Sequence, residues 1–279
     1  MGAPMAANLA RAGFALSVWN RTPGRDEAPV ALGARRAASP AELAASSDVV
    51  VLCLTDAPQV DEVLFAGGLA DALGPGALVV DCSTTSPFAA QRVAGALAER
   101  GVGFVDAPVT GGTEGAEKGT LTILCGGSDH HVAAVTPVLS ALGTTLAHLG
   151  PVGAGQWAKA VNQVILAGTY LAVAEGVTLA MKAGLDASAV VAALARGAAG
   201  SWVLENRSAR MIADEYPLGF KIELHRKDLG IALELARAVG AVLPVTALAA
   251  TFEDGLVAEG HGGEDNSALA RTIRRLSGL

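Results

Sequence analysis

The sequence predicts an α/β chain: a doubly wound parallel sheet over the first half, followed by an all-helical second half. Three observations carry this prediction. Short, continuous apolar runs alternate with helix-like segments up to Gly150, as buried parallel strands with crossover helices do. After Gly155 no run of comparable strand quality follows. The composition is 51% hydrophobic but only 4% aromatic, which suits packed helices and parallel strands more than a β-sandwich. A chain of 279 residues can bury a substantial core in one large or two modest domains. The change of pattern divides it into residues 1–150 and 151–279.

Taken in order, residues 1–15 read as an amphipathic helix rather than a basic start with an apolar run, so no signal peptide is expected. Strands are expected at Ala15–Trp19, Val49–Leu54, Leu78–Asp81, Gly103–Asp106, Leu121–Cys125 and Thr145–Leu149. Helices are expected between them at Pro40–Ala45, Pro87–Arg100 and Asp129–Leu142, with Pro87 and Gly101 as start and stop signals. The second half reads as Gln156–Ala183, Ser188–Arg196, Lys227–Val239 and Val245–Glu259. The first of these spans about 42 Å at 1.5 Å per residue, long enough to run through the centre of a small domain. Its uncharged stretch Ala160–Ala174 falls short of the roughly 20 residues that cross a bilayer and reads as the middle of a buried helix, so no membrane partner is expected.

The net charge of −7 argues against a nucleic-acid footprint; an anionic substrate would need local positive groups instead. Cys53, Cys82 and Cys125 each sit in an apolar run without CxxC spacing, so neither a disulfide framework nor a zinc site is expected and the location reads as cytoplasmic. No histidine has a partner at metal-ligand spacing, and His225, two residues before Lys227, reads as a bystander.

The opening Met-Gly-Ala-Pro-Met-Ala-Ala-Asn-Leu-Ala-Arg-Ala-Gly reads as the first helix of a Rossmann-like dinucleotide fold. Such a helix follows a strand and a GxGxxG turn whose glycines admit pyrophosphate to the helix N-terminus. Gly2 stands where the third glycine belongs; the first strand and the other two glycines are missing from the sequence, and Gly2 alone signals little. The next strand ends in Asn20-Arg21-Thr22. An acidic residue there would bind the ribose 2′-hydroxyl of NAD, whereas Arg accommodates the 2′-phosphate of NADP. NADP is therefore preferred over NAD, with a solvated turn Arg as the alternative.

Several constellations could carry chemistry. Lys159 follows the turn Gly150-Pro-Val-Gly-Ala-Gly and shares one helix face with Asn162 and Gln163 at i+3 and i+4; the alternative is a Lys snorkelling to solvent from a helix end. Thr110-Gly111-Gly112, shortly after the strand ending in Asp106, offers backbone N–H groups and a hydroxyl for an anion, or is a plain Gly-Gly turn. Ser83-Thr84 closes a strand at the same carboxyl edge, and the loop after Leu54 lies there too. Lys227-Asp228 reads as the start of a helix, where such a pair is usually a solvated cap.

Five segments occur in an order and spacing that resemble the 3-hydroxyacid (β-hydroxyacid) dehydrogenase family, which includes 3-hydroxyisobutyrate dehydrogenase and tartronate semialdehyde reductase. They are GAPMAANLARAGF at the front, DCSTTSP at 81–87, DAPVTGGTEGAEKGTL at 106–121, GPVGAGQWAKAVNQ at 150–163 and KDLGIAL at 227–233. The resemblance covers essentially the whole chain. It implies that Lys159 is the catalytic proton shuttle, that Asn162 hydrogen-bonds the substrate, and that Thr110, Gly111 and Gly112 hold the substrate carboxylate. It also implies that Gly2, Asn20, Arg21, Thr22, Leu54, Thr84 and Lys227 line the cofactor and that Asp228 lies near the substrate. A Lys can take the hydroxyl proton of an alcohol as hydride leaves and stabilise the developing alkoxide.

Departures from the family pattern are Thr110 where relatives often have Ser, Gln163 where some have a second Asn, and Leu54-Thr55 where Leu-Pro is common. The 6-phosphogluconate dehydrogenases have His before Asn, so a sugar-phosphate substrate is disfavoured. Imine reduction is disfavoured because those relatives usually lack the Lys. The implied activity is hydride exchange between a nicotinamide cofactor and a small 3-hydroxy acid, 3-hydroxyisobutyrate first. Tartronate semialdehyde (2-hydroxy-3-oxopropionate) is the alternative substrate, and a non-catalytic nucleotide-binding relative is the second alternative. The family further implies a homodimer or homotetramer formed through helices.

Overall fold

Helix α1 (Gly2–Arg11) opens the chain and buries Met5, Ala7 and Leu9. Then come β1 (Ser17–Val18), α2 (Glu27–Ala31), β2 (Arg35–Arg36), α3 (Pro40–Ala44), β3 (Val49–Leu52) and α4 (Ala57–Asp61). A π-helical turn at Glu62–Ala66 leads into α5 (Leu69–Ala72), β4 (Leu78–Asp81), α6 (Pro87–Ala98) and β5 (Gly103–Asp106). Next are β6 (Val109–Thr110), α7 (Gly112–Lys118), β7 (Leu121–Cys125), α8 (Asp129–Ser140) and β8 (Gly143–His148). The rest is helical: α9 (Ala154–Lys182), α10 (Ala187–Leu194), α11 (Trp202–Ala213), α12 (Ile222–Val239), α13 (Pro244–Ala258), a short 3-10 turn and α14 (Leu269–Leu276). This computed structural model describes all residues from Met1 to Leu279.

The chain divides into two units, Met1–Lys159 and Ala160–Leu279, so α9 begins in the first and continues in the second. The first unit is Rossmann-like, and the second is all-helical, as the apolar patterning predicts. Three strands of the first unit coincide with their expected limits: β4, β5 and β7. Their Val, Leu and Ile side chains are nearly all buried, and such continuous apolar runs are legible without knowing their neighbours. β3, β4 and β5 pair in parallel, with Leu52 opposite Asp81 and Asp81 opposite Asp106.

The sheet departs from a single all-parallel ribbon in two ways. β6 runs antiparallel to β7, Thr110 facing Thr122, while β7 and β8 are parallel. β1 pairs in parallel with β2, whose two residues, Arg35 and Arg36, are both exposed. Neither β2 nor β6 has the apolar run that marks a buried strand, so neither shows in the pattern.

Helix ends follow the capping rules. Ser39, Ser86 and Ser128 each accept a backbone N–H three residues on, and Pro40 and Pro87 occupy first-turn positions. Two apolar clusters make the core of this unit. Met5, Val80, Val105, Leu121, Ile123 and Leu139 belong to one, and Leu64, Val79, Val93, Leu97 and Phe104 to the other.

The second unit packs Tyr170, Leu171, Ala174 and Val177 of α9 with Met211, Ile222, Leu229, Leu256 and Leu269. α9 has 29 residues, longer than its uncharged stretch alone, and by length and composition could cross a membrane. Its burial against α11, α12 and α13 makes it a core helix instead. α11 and α14 are not expected from the sequence: α11 carries Glu205, Arg207 and Arg210 among its apolar residues, and α14 is only eight residues long, with Arg271, Arg274 and Arg275 gathered on one face. α12 starts at Ile222, five residues before Lys227. The reading of Lys227-Asp228 as a helix start is therefore corrected: the pair lies in the second turn, where Asp228 faces inward. Buried Ile222 and His225 extend the apolar stripe upstream of the expected boundary.

Candidate active site

In the first unit, the loops that leave the carboxyl ends of β3, β4 and β5 are bolted together by buried hydrogen bonds. The Leu54 N–H donates to Ser83 Oγ at 2.8 Å, and the Ser83 N–H donates to Asp81 Oδ1 at 2.9 Å. Gln156, in the first turn of α9, accepts from the Thr85 N–H at 3.0 Å through Oε1 and donates to the Ser83 carbonyl at 2.8 Å through Nε2. Asp106 ends β5 and caps the same helix, accepting from the Gly153 N–H at 2.7 Å and the Gln156 N–H at 3.0 Å. A carboxylate is favoured at a helix N-terminus. Burial nevertheless outweighs the backbone donors and pushes Asp106 up to about 6. Asp106 and Gln156 were not among the expected site residues. Gln156 shares a helix face with Lys159, but no local feature names its partners in the 83–85 loop.

Lys159 lies in the second turn of α9 and is only 6% exposed. The snorkelling alternative is thereby removed, since such a Lys keeps its ammonium in water. Leu54 and Thr84 sit in the bolted loops. Thr110 is half-buried in β6, and Gly111 and Gly112 adopt φ of +129° and +64°. A side chain is strained at both, which explains the paired glycines. Gly112 opens α7, so the segment is a strand-to-helix junction rather than a plain turn.

Gly2 begins α1 against the end of β3: a Cβ on it would lie 3.6 Å from the Cys53 Cβ and 3.9 Å from its carbonyl oxygen. No acidic side chain occupies the first turn of α1, so its free N–H groups present an uncancelled positive end. Beyond β1, Asn20 Nδ2 donates to the Thr22 carbonyl at 2.7 Å, which shapes the turn. Arg21 projects from that turn with its side chain 70% exposed and its guanidinium 3.5 Å from Glu62. A helix N-terminus without acid and an exposed Arg at the end of the second strand position fit a dinucleotide phosphate and a ribose 2′-phosphate, respectively.

In the second unit, Asn162 Nδ2 donates to Gln163 Oε1 at 2.6 Å, and Gln163 Nε2 donates to Asp228 Oδ2 at 2.7 Å. Lys227 Nζ lies 3.0 Å from Asp228 Oδ1. Asn162, Gln163, Asp228 and Lys227 thus form one polar chain across α9 and α12. Asn162 follows Lys159 by one turn on the same continuous helix. Gln163 does not project freely beside them: both ends of its amide are engaged. His225, expected as a bystander, pairs through Nδ1 with Glu253 Oε1 at 2.6 Å, and both side chains are fully buried. It ties α12 to α13.

Comparison with known proteins assigns this arrangement. Residues 1–150 match the NAD-binding domain of 6-phosphogluconate dehydrogenase, and residues 153–273 match the NAD-binding region of NADP-dependent 3-hydroxyisobutyrate dehydrogenase. The chain is 40% identical to the 2-hydroxy-3-oxopropionate reductase of Escherichia coli over 99% of its own length and 95% of that protein's. The chain belongs to the 3-hydroxyacid dehydrogenase family.

It is an NAD(P)-dependent oxidoreductase. The dehydrogenase superposes on the solved 3-hydroxyisobutyrate dehydrogenase of Salmonella typhimurium with a TM-score of 0.88, at 32% identity, covering 97% of this chain and 95% of that one. The 3-hydroxyisobutyrate dehydrogenase of Mycobacterium tuberculosis, solved with L-serine, gives 0.89 at 31% identity, covering 98% and 96%. Its substrate is accordingly a small hydroxy acid, and its second partner is the nucleotide cofactor.

Proposed function

We propose that this dehydrogenase exchanges hydride between NADP and a three- or four-carbon 3-hydroxy acid, with 3-hydroxyisobutyrate as the first candidate and Lys159 as the proton shuttle. The observation that carries the reading is the buried Lys159 one turn beyond the Gln156 clamp. The nicotinamide ring, when bound, supplies the hydride acceptor in oxidation and the donor in reduction. Lys159 Nζ takes the hydroxyl proton as the carbinol hydrogen departs with its electron pair, and returns a proton to the carbonyl oxygen in the reverse direction. Its positive form stabilises negative charge on that oxygen. Thr110 and the N–H groups of Gly111 and Gly112 bind the substrate carboxylate, and Asn162 orients the substrate. Asp228 shapes the substrate side while Lys227 contacts the cofactor.

On the cofactor side, Gly2 leaves room for pyrophosphate, while Asn20, Arg21 and Thr22 take the 2′-phosphate. Leu54 and Thr84 line the dinucleotide. In this reading, residues 1–150 form the cofactor domain and 151–279 the substrate and dimerisation domain, in the cytoplasm.

A second substrate reading is reduction of 2-hydroxy-3-oxopropionate, favoured by the 40% identity to the reductase acting on that compound. Steady-state kinetics with both acids and both cofactors separates the two readings by kcat/KM. The Lys159→Ala variant is expected to lose on the order of 10²–10⁴-fold in kcat with either acid. NADPH binding, followed by fluorescence, should remain. Unchanged turnover would overturn the mechanism.

Self-association is part of the proposal. An apolar cavity of about 740 Å³ in the second unit, lined by Ile165, Val173, Leu194, Val242 and Val245, contains none of the candidate site residues. Val242 at its rim is 86% exposed. Exposed apolar surface of this kind marks an association site, and a second copy through these helices gives a homodimer or homotetramer. Val242→Asp should shift the species seen by light scattering towards monomer.

A further inference from the structure

We propose that Gln156 is a positioning residue for hydride transfer: it sets the distance between Lys159 and the loop that carries Thr84. The inference rests on the roles proposed above for Lys159 and Thr84. Gln156 is 1% exposed, and its amide grips both sides of Thr84, donating to the Ser83 carbonyl at 2.8 Å and accepting from the Thr85 N–H at 3.0 Å. The gripped loop is itself buried at Ser83 and Thr85. The main chain of Gln156 is held as well, because its N–H donates to Asp106 Oδ2 at 3.0 Å.

Residues three apart lie on one face of a helix, so Lys159 stands one turn beyond the clamp. Three loops leaving adjacent strands are thereby referred to one residue, through its side-chain amide to Ser83 and Thr85 and through its main-chain N–H to Asp106. Ser83 reaches Leu54 after β3, Ser83 and Thr85 follow β4, and Asp106 ends β5. No other amino acid duplicates the grip. Glu at this position would accept from Thr85 but set a carboxylate against the Ser83 carbonyl, and Asn is one methylene short.

Hydride leaves the carbinol carbon while the hydroxyl proton goes to Lys159, so the cofactor ring and the amine must be placed together. Misplacement by about 1 Å costs on the order of a hundredfold in rate. A slackened clamp should therefore slow the chemical step and leave binding of the adenosine end of the cofactor intact.

Gln156→Met, which fills the same space without either hydrogen bond, and Gln156→Ala test this in the full chain. The readouts are the single-turnover hydride-transfer rate per folded molecule, followed at the nicotinamide absorbance, and the Kd of NADPH. The rate is expected to fall on the order of tenfold or more, with Kd changed by less than about threefold. A merely structural Gln156 would lower the folded fraction and leave the rate per folded molecule as in the parent. That result overturns the proposal, as does failure of both variants to fold, which would make Gln156 a stability determinant. Lys159→Ala run in parallel separates the two levels. Full activity in that variant defeats the parent mechanism. An inactive Lys159→Ala beside an unaffected Gln156→Met defeats this inference alone.

Discussion

Gln163 Nε2 donates to Asp228 Oδ2 across 2.7 Å, and both side chains are almost wholly buried. The bond joins α9 to α12, and Lys227 approaches the other carboxylate oxygen at 3.0 Å. Removing the amide leaves a buried carboxylate short of a donor. Gln163→Leu should then destabilise the protein by about 1–3 kcal/mol, read by urea unfolding. In an Asp228→Ala background, where the acceptor is gone, the cost should shrink, because the two residues act as a coupled pair. Equal costs in both backgrounds would show that the bond carries no coupling.

Asp106 gives the chain a pH-dependent element. Its folded value of about 6 lies above the ordinary 3.8 because burial penalises the carboxylate. A raised folded value means that the contribution to stability is complete below about pH 3.8 and declines as pH rises through about 6, then stays constant. A shift from 3.8 to about 6 corresponds to on the order of 3 kcal/mol. Asp106→Asn removes this titration. The unfolding free energy of the parent minus that of the variant should drop between pH 4 and 7; a flat difference would place the group at its ordinary value.

Arg21 is 3.5 Å from Glu62 on an exposed surface, where an ion pair is worth little. Its guanidinium is therefore available to a phosphate. Arg21→Ala should weaken NADPH binding by roughly 10–100-fold, the worth of a charged hydrogen bond. NADH, which lacks the 2′-phosphate, should bind as before. Equal losses for both cofactors would take the selectivity away from this residue.

At Gly111 the backbone φ is +129°, and an added Cβ would meet Leu121 Cδ2 at 3.2 Å. Gly111→Ala should cost about 1–3 kcal/mol of stability from backbone strain. If Gly111 holds the substrate carboxylate, KM for the hydroxy acid should also rise while the Kd of NADPH stays constant. A rise in the cofactor constant alone would move the segment to the cofactor side.

Much of the molecule was legible from residue order. Apolar runs define β4, β5 and β7, and Pro87 with Gly101 marks the limits of α6, because those signals are local. The family follows from motifs such as GPVGAGQWAKAVNQ and KDLGIAL, and the comparisons bear it out. Arg21 and Lys159 also stand out locally, one by its place after a strand and the other by its isolation in an apolar helix.

Tertiary structure alone decided the partners. Gln156 looks like any helical amide until the fold brings Ser83 and Thr85, 73 and 71 residues away, within hydrogen-bond reach. By spacing Gln163 shares a helix face with Lys159, yet folding gives it Asp228, 65 residues on. His225 lacked any local companion and finds Glu253. β6 pairs antiparallel because of what lies beside it. The physical reason is common to all four. Apolar burial and capping act between neighbours in sequence and leave a periodic trace, whereas a buried polar atom must find its hydrogen-bond partner wherever packing delivers one. The sequence by itself determined the fold class, the family and the lysine of the proposed chemistry; only the folded chain decided what holds that lysine and its surrounding loops in place.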